Sequence, residues 1–257
     1  MVYFSKRSKR RNGVEVITSG QNPLMRHIRK LQTSRSYREA CGEFVADGFK
    51  LLDEALKWYP QLKTVVLSQG TKCPPLPTGV RCVEIPAELM ERVSSMKTPQ
   101  GVIFTGKLPE SRGKKLHSRM LLLDRIQDPG NLGTILRTAD AFGIPVALTN
   151  GCADPYSEKT IRASMGAVFR TVPLHVGLED VLSCGVPLAA TALTPSSADI
   201  RQISPCDYLV VIGSEGQGIC SALLEASKKQ IIIPMEARCE SLNAAIAAAI
   251  VMWQMKQ

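Results

Sequence analysis

The polar groups able to do chemistry gather in three stretches of an otherwise apolar second half of the chain. They are Asp128–Arg137 (DPGNLGTILR), Gly213–Gly218 (GSEGQG) and Pro234–Asn243, which closes on Ser241-Leu242-Asn243. Asn131, Ser241 and Asn243 offer neutral hydrogen-bonding groups, Arg137 a guanidinium and Glu215 a carboxylate. Hydrogen-bonding side chains at the start of an otherwise apolar helix suggest that a ligand is bound there. A metal centre is not expected: there are 3 histidines, and the 8 cysteines include no Cys-x-x-Cys pair. The glycines of Gly213–Gly218 let the backbone approach a ligand closely. The stretch fails as Gly-x-Gly-x-x-Gly and lacks the Lys-Ser/Thr ending of a phosphate loop, so dinucleotide and nucleotide-triphosphate binding are poorly supported. Plainer readings exist for each residue. Ser241 is a natural N-cap for the helix that follows, Glu215 can complement a helix macrodipole, and Arg137 can be a surface arginine. Asn243 resists such a reading, being a poor helix former expected inside a first turn.

Strands alternating with helices must position these stretches. Met120–Leu123, Val146–Leu148, Leu188–Ala192, Tyr208–Ile212 and Gln230–Ile233 read as strands, the first a continuous apolar run suited to burial on both faces. Helices are expected over Leu132–Phe142, Leu178–Ser183, Ser221–Ser227 and Leu242–Met255, with Pro155–Gly166 entering another. The pattern predicts a mostly parallel sheet covered on both faces. Ligands of such sheets lie beyond the carboxyl ends of the strands, where all three polar stretches fall.

The first part of the chain is different in character. Residues 1–118 carry 21 Lys/Arg against 10 Asp/Glu, net +11, whereas 119–257 carry 11 against 13, net −2. All the excess positive charge therefore lies in one module, as expected where that module meets a polyanion and the other does chemistry. Solvated surface charge kept for solubility is the alternative. Ser5–Arg11 (SKRSKRR) is too polar to pack and belongs to a flexible basic tail, residues 1–12, that is either solvated or, as the charge of the module favours, a phosphate-binding arm. Pro23–Ser34 forms a helix with Leu24, Ile28 and Leu31 on one side and Arg26, Arg29 and Lys30 around them. Phe44–Ala46, Lys63–Leu67, Val80–Val83 and Gly101–Thr105 read as strands; Phe49–Trp58 and Ala87–Val93 read as helices. A small α/β domain over 1–107, a polar linker over 108–118 and a larger α/β domain over 119–257 result. No signal peptide and no stretch long enough to span a membrane is apparent, and a reducing cytoplasm is expected.

The three stretches together resemble the SpoU/TrmH family, S-adenosylmethionine-dependent RNA ribose 2′-O-methyltransferases of the knotted SPOUT class. Asp128-Pro-Gly-Asn-Leu-Gly-Thr-Ile-Leu-Arg137 through Gly143, Ile212–Gly218, and Ile233-Pro-Met with Ser241-Leu-Asn243 look like its three motifs, in its order. Lys159–Gly166 with Phe169 fits the segment between the first two motifs. Ser19–Pro23, Phe44–Gly48 and Thr98–Gly101 look like the substrate-binding domain that commonly precedes it, which is related to an RNA-binding ribosomal-protein fold. The resemblance implies a deep trefoil knot, an exception to the rule that chains do not thread loops. It also implies S-adenosylmethionine held by Gly213, Ile233 and Leu242, with Leu193, Met235 and Glu215 as neighbours. A homodimer is implied too, the apolar C-terminal helix with Ala245, Ile246, Ala249 and Ile250 serving either as its interface or as ordinary core. Arg137 takes the central catalytic role, with Asn131, Glu215, Ser241 and Asn243 supporting it. Guanidinium groups keep their proton in proteins, which favours an electrostatic clamp on phosphate and 2′-oxygen over a base. Asn22, Arg26, Arg29, Lys30, Arg38, Lys159 and Arg162 are the expected RNA contacts, the last two either phosphate contacts or structural. The RNA is rRNA, of the large subunit, or tRNA, with the two-domain build and basic front favouring rRNA. A non-catalytic RNA-binding or assembly protein that keeps the fold, and a knotted base methyltransferase, are the competing readings.

Overall fold

The computed structural model describes residues 9–11, 14–110, 115–194, 197–236, 238–239 and 241–257. The chain divides into two compact units: residues up to Leu108 together with Tyr156–Glu158, and Pro109–Pro155 together with Lys159–Gln257.

The N-terminal unit is a mixed six-stranded sheet with helices. Its elements are β1 (Lys9–Arg11), β2 (Val14–Val16), α1 (Pro23–Thr33), α2 (Arg35–Cys41), β3 (Glu43–Asp47), α3 (Phe49–Trp58), β4 (Leu62–Ser68), β5 (Arg81–Ile85), α4 (Ala87–Val93) and β6 (Val102–Lys107). The strand order is β1-β2-β5-β4-β6-β3. Asn22 starts α1, its side-chain oxygen accepting from the Leu24 amide at 2.9 Å, and Pro23 sits where a missing N–H costs nothing. Met25, Ile28 and Leu31, three residues apart, bury one helix face against Val45, Val66, Val83 and Ile103. The buried face is turned slightly from the expected one, since Met25 is fully buried and Leu24 only packs against the cluster. The basic run was expected to stay outside the fold, yet Lys9–Arg11 pairs antiparallel with Val14–Val16. Backbone pairing needs no apolar side chain, so the charge run does not forbid it. Residues 1–8 and 12–13 of the expected tail, and 111–114 of the expected linker, lie outside the described residues.

The C-terminal unit carries β7 (Met120–Asp124), α5 (Pro129–Phe142), β8 (Val146–Thr149), α6 (Glu158–Ala163), β9 (Leu174–Val176), α7 (Leu178–Ser183), β10 (Leu188–Thr191), β11 (Ala198–Asp199), β12 (Leu209–Gly213), α8 (Ser221–Ala226), β13 (Lys229–Ile232) and α9 (Ala244–Gln254). Its seven strands run in the order β11-β13-β10-β12-β7-β8-β9, every pair parallel. All of β7 is buried, as its apolar run demands. The chain builds outward from β7 through β8 and β9, then crosses to build the other half from β10. Order therefore reverses between β7 and β12, the kind of point where open parallel sheets bind ligands. β9 and β11 are too short to show a sequence pattern.

Candidate functional site

The site is assembled from the loops after β7, β10, β12 and β13. A cavity of about 410 Å3, lined by the loops after β10, β12 and β13 and by the start of α9, opens beside the loop after β7 and falls within the usual range for small-molecule sites. All six residues expected around the donor, Leu193, Gly213, Glu215, Ile233, Met235 and Leu242, lie on its wall, and so does Ser241. Ile212, Ile231 and Ala244 make the wall largely apolar, while Thr191, Thr194 and Gln217 add polar groups that sequence reasoning did not single out. Gly213 is a glycine for a packing reason. A Cβ there would stand 2.3 Å from the Gly218 carbonyl carbon and 2.5 Å from the Ile219 amide nitrogen. The turn folds straight back over the strand end, held by reciprocal backbone bonds between Ser214 and Gly218 of 3.2 and 2.9 Å.

The three motif loops are tied by a line of side-chain hydrogen bonds. The Asn131 amide donates to Glu215, and the Asn243 amide donates to the Asn131 oxygen at 3.1 Å. Each loop thus contributes one member. Asn131 is delivered by the first turn of α5, which begins at Pro129, three residues earlier than expected. Asp128 caps that helix, accepting from the main-chain N–H of Asn131 at 2.8 Å. This bond, and then the charge of Lys159 at 3.4 Å, hold the Asp128 carboxyl below the usual carboxylate range. At the third motif, the expected cap is corrected. The N-cap of α9 is Asn243, not Ser241: its oxygen accepts from the amides of Ala245 and Ile246 at 2.9 and 3.3 Å. The helix begins at Ala244, so Asn243 sits before the first turn rather than inside it. Ser241 is exposed and remains on the cavity wall.

Arg137 does not join this line. It lies on the exposed stripe of α5 with Thr134, about 9 Å along the helix from Asn131. Among the described residues it has no hydrogen-bond or ion-pair partner. Lys159 and Arg162 are exposed, the first on Asp128. In the N-terminal unit, Arg26 and Lys30 are exposed on α1 and Arg29 is half-buried; the Lys30 ammonium stands 5.3 Å from the Tyr37 ring centre. Arg38 departs from the expectation of an RNA contact. It is 4% exposed, and its guanidinium donates to the Leu31 carbonyl, bracing the end of α1. Among the described residues no group of His, Cys, Asp and Glu could hold a metal ion, and no helix is long and apolar enough to cross a membrane.

Comparison with known proteins agrees with this geometry in both units. Residues 118–253 match the SpoU rRNA Methylase family, and residues 22–103 match the MRM3-like substrate binding domain. The chain is 33% identical to the 23S rRNA (guanosine(2553)-2′-O)-methyltransferase RlmP of Bacillus subtilis, over 93% of this chain and 98% of that protein. It is 29% identical to the human mitochondrial rRNA methyltransferase 3, over 87% of this chain and 70% of that one. Among solved structures, an AdoMet-bound rRNA methyltransferase from Sinorhizobium meliloti superposes with a TM-score of 0.82 at 31% identity, covering 95% of this chain and 97% of its own. With the match spanning more than half the chain, and the three motif loops tied to one another through Glu215, Asn131 and Asn243, the protein belongs to the SpoU rRNA methylase family.

Proposed function

We propose that this protein is an S-adenosylmethionine-dependent methyltransferase acting on a ribose 2′-hydroxyl of structured RNA, with large-subunit rRNA as the substrate class. The observation that carries the reading is the Glu215–Asn131–Asn243 line, which meets the cavity wall at Glu215. The cavity suits the donor: apolar walls for an adenosine and a thioether, and backbone-lined turns at Gly213 and Ile233 for its polar edges. When bound, the donor supplies an electrophilic methyl group on a sulfonium. The chain's part is to present the hydroxyl in line and to stabilise charge as its proton leaves, and positioning alone contributes several kcal/mol to such reactions.

Arg137 is the cation for that task, since no described acidic residue neutralises it; it clamps the 2′-oxygen and the adjacent phosphate. Asn131 is held rigid from both sides, by Glu215 and Asn243, and orients the ribose. Ser241, exposed on the cavity wall, faces substrate. The large-subunit assignment draws on the Bacillus relative, a 23S rRNA methyltransferase, and on the +11 charge of residues 1–118. The C-terminal segments around Gly213–Asn243 form the trefoil knot, and two copies of the chain associate through the exposed face of α9. The test of catalysis is Arg137→Ala. Methyl transfer to rRNA should fall by at least about 10²-fold, the scale of removing one group that stabilises the transition state, with donor affinity and melting temperature unchanged. Activity near wild type would sink the assignment, and wild-type protein that binds no donor would favour a non-catalytic RNA-binding role. Mapping 2′-O-methyl positions in RNA from cells lacking the protein identifies the target.

A further inference from the structure

One buried carboxylate beside the site takes no part in the Glu215–Asn131–Asn243 line. Asp124 ends β7 directly opposite Gly213 of β12 and is 2% exposed. One of its oxygens accepts from the Thr149 hydroxyl at 3.0 Å. The other accepts from the Cys220 amide at 2.8 Å and from Arg125 Nε at 3.3 Å. Arg125 then reaches across to the glycine-rich turn. Its guanidinium donates to Gln217 Oε1 at 3.0 Å and to the Gly218 carbonyl at 3.4 Å. Two adjacent residues of β7 and its loop thus grip the turn at 217, 218 and 220. Gln217 and Gly218 line the cavity, and Glu215 is carried on the same turn.

The backbone of Arg125 is unusual. Its φ is +54°, a left-handed conformation that any residue with a Cβ adopts at a cost. Glycine takes it freely. Such residues persist where their surroundings over-determine them, and they concentrate at functional sites. The main-chain amide of Arg125, which donates to Thr149 Oγ1 at 3.2 Å, would do so equally well from a glycine. What arginine adds are the bonds to Gln217 and Gly218, and a stem laid across Gly151, where a glycine Cβ would meet its Cγ at 3.2 Å.

We infer that Arg125 is a positioning residue for the methyl-donor pocket: by anchoring Gln217 and Gly218 to the end of β7 it fixes the turn that forms one cavity wall and presents Glu215 to Asn131. This rests on the donor-pocket reading above. The experiment uses the full-length protein with R125G, R125M and R125K, and measures S-adenosylmethionine affinity by calorimetry, melting temperature, and donor KM against kcat. R125G removes the backbone strain with the guanidinium; R125M keeps the stem and the strain but not the guanidinium. Both should weaken donor binding by about tenfold, the worth of one charge-assisted hydrogen bond, with donor KM rising more than kcat falls, and R125K should recover part of the loss. R125G should melt no lower than R125M, so affinity and stability separate. Wild-type donor affinity in both variants would overturn the inference, as would affinity that follows melting temperature instead of the guanidinium. A wild-type protein that binds no donor would overturn the pocket reading itself, and that arm keeps the two failures distinct.

Discussion

The two ends of the Asn243 amide do different jobs, which explains why neither serine nor aspartate would serve there. Its oxygen caps α9, and its nitrogen donates to Asn131. An aspartate could cap but not donate, and a serine hydroxyl is too short to do both. Asp128 works in the same region through charge. Its folded carboxyl lies below the usual range because the main-chain N–H of Asn131 and the charge of Lys159 favour the ionised form. A depressed folded value means its contribution is fully present above the unfolded value of about 4 and is lost as pH falls through the lower folded value. The group is half exposed, so the ionic part is small. Asp128→Asn should keep the cap and flatten the acid limb of stability below about pH 4. Asp128→Ala should cost about 1 kcal/mol at neutral pH. Urea denaturation from about pH 3 to about pH 7, which brackets the carboxylate range, measures both; an acid limb of unchanged steepness in Asp128→Asn would refute the assignment.

At the level of elements, α5 is the axis of the site, because its N-terminus delivers Asn131 while its flanks meet α6 and α9. Gly133 makes the approach to α6 possible: a Cβ there would stand 2.5 Å from the Ala163 Cβ and 2.7 Å from the Thr160 carbonyl. Glycine inside a helix is disfavoured by about 1 kcal/mol relative to alanine, so on propensity alone Gly133→Ala would be stabilising. The neighbours are backbone and a short side chain that cannot swing aside, and overpacking costs about 1–3 kcal/mol. Overpacking should win. The substitution should lower stability by about 1 kcal/mol net and reduce methyl transfer by tilting Asn131; an unchanged or raised melting temperature would contradict the close-packing account. On the far side, α9 packs on α5, where Phe142 meets Trp253 at a ring separation of 6.0 Å, and Ala245, Ala248 and Met252 of α9 are buried. Core packing and an outward apolar face are therefore both present on this one helix.

For the molecule as a whole, that outward face and the basic unit lead to separate predictions. Ile246 is 52% and Trp253 56% exposed, about two turns apart on α9. Large exposed apolar side chains in line mark an interaction surface. Light scattering should find a dimer for the wild type and a shift to monomer for Ile246→Asp/Trp253→Asp; a wild-type monomer at working concentration would remove the dimer from the proposal. In the basic unit, replacing Arg26, Arg29 and Lys30 by alanine should weaken rRNA binding at low salt. It should also reduce the slope of log affinity against log salt by up to about 3, roughly one for each phosphate no longer neutralised. Arg38→Ala should instead lower stability and leave the slope unchanged, because that guanidinium is buried on Leu31. An unaltered slope in the triple variant would remove α1 from the RNA-binding face.

By itself the sequence determined the class of each unit, the division of charge and the identity of the motif residues. These properties are local: apolar runs such as Met120–Leu123 specify buried strands, and glycine, proline and cap residues punctuate them within a few positions. Only the tertiary structure decided which local option each polar residue takes. Ser241 and Asn243 both qualify as caps, and the choice fell on Asn243 because Asn131, more than a hundred residues away in sequence, receives its amide. Arg38 carries the same charge as Arg26, yet the turn between α1 and α2 folds it inward. Arg125 gave no signal at all in the sequence. Its left-handed backbone and its reach to Gln217 and Gly218 exist only once β7 and β12 lie side by side. Long-range hydrogen bonds have no periodicity to read, and this site is built largely from them.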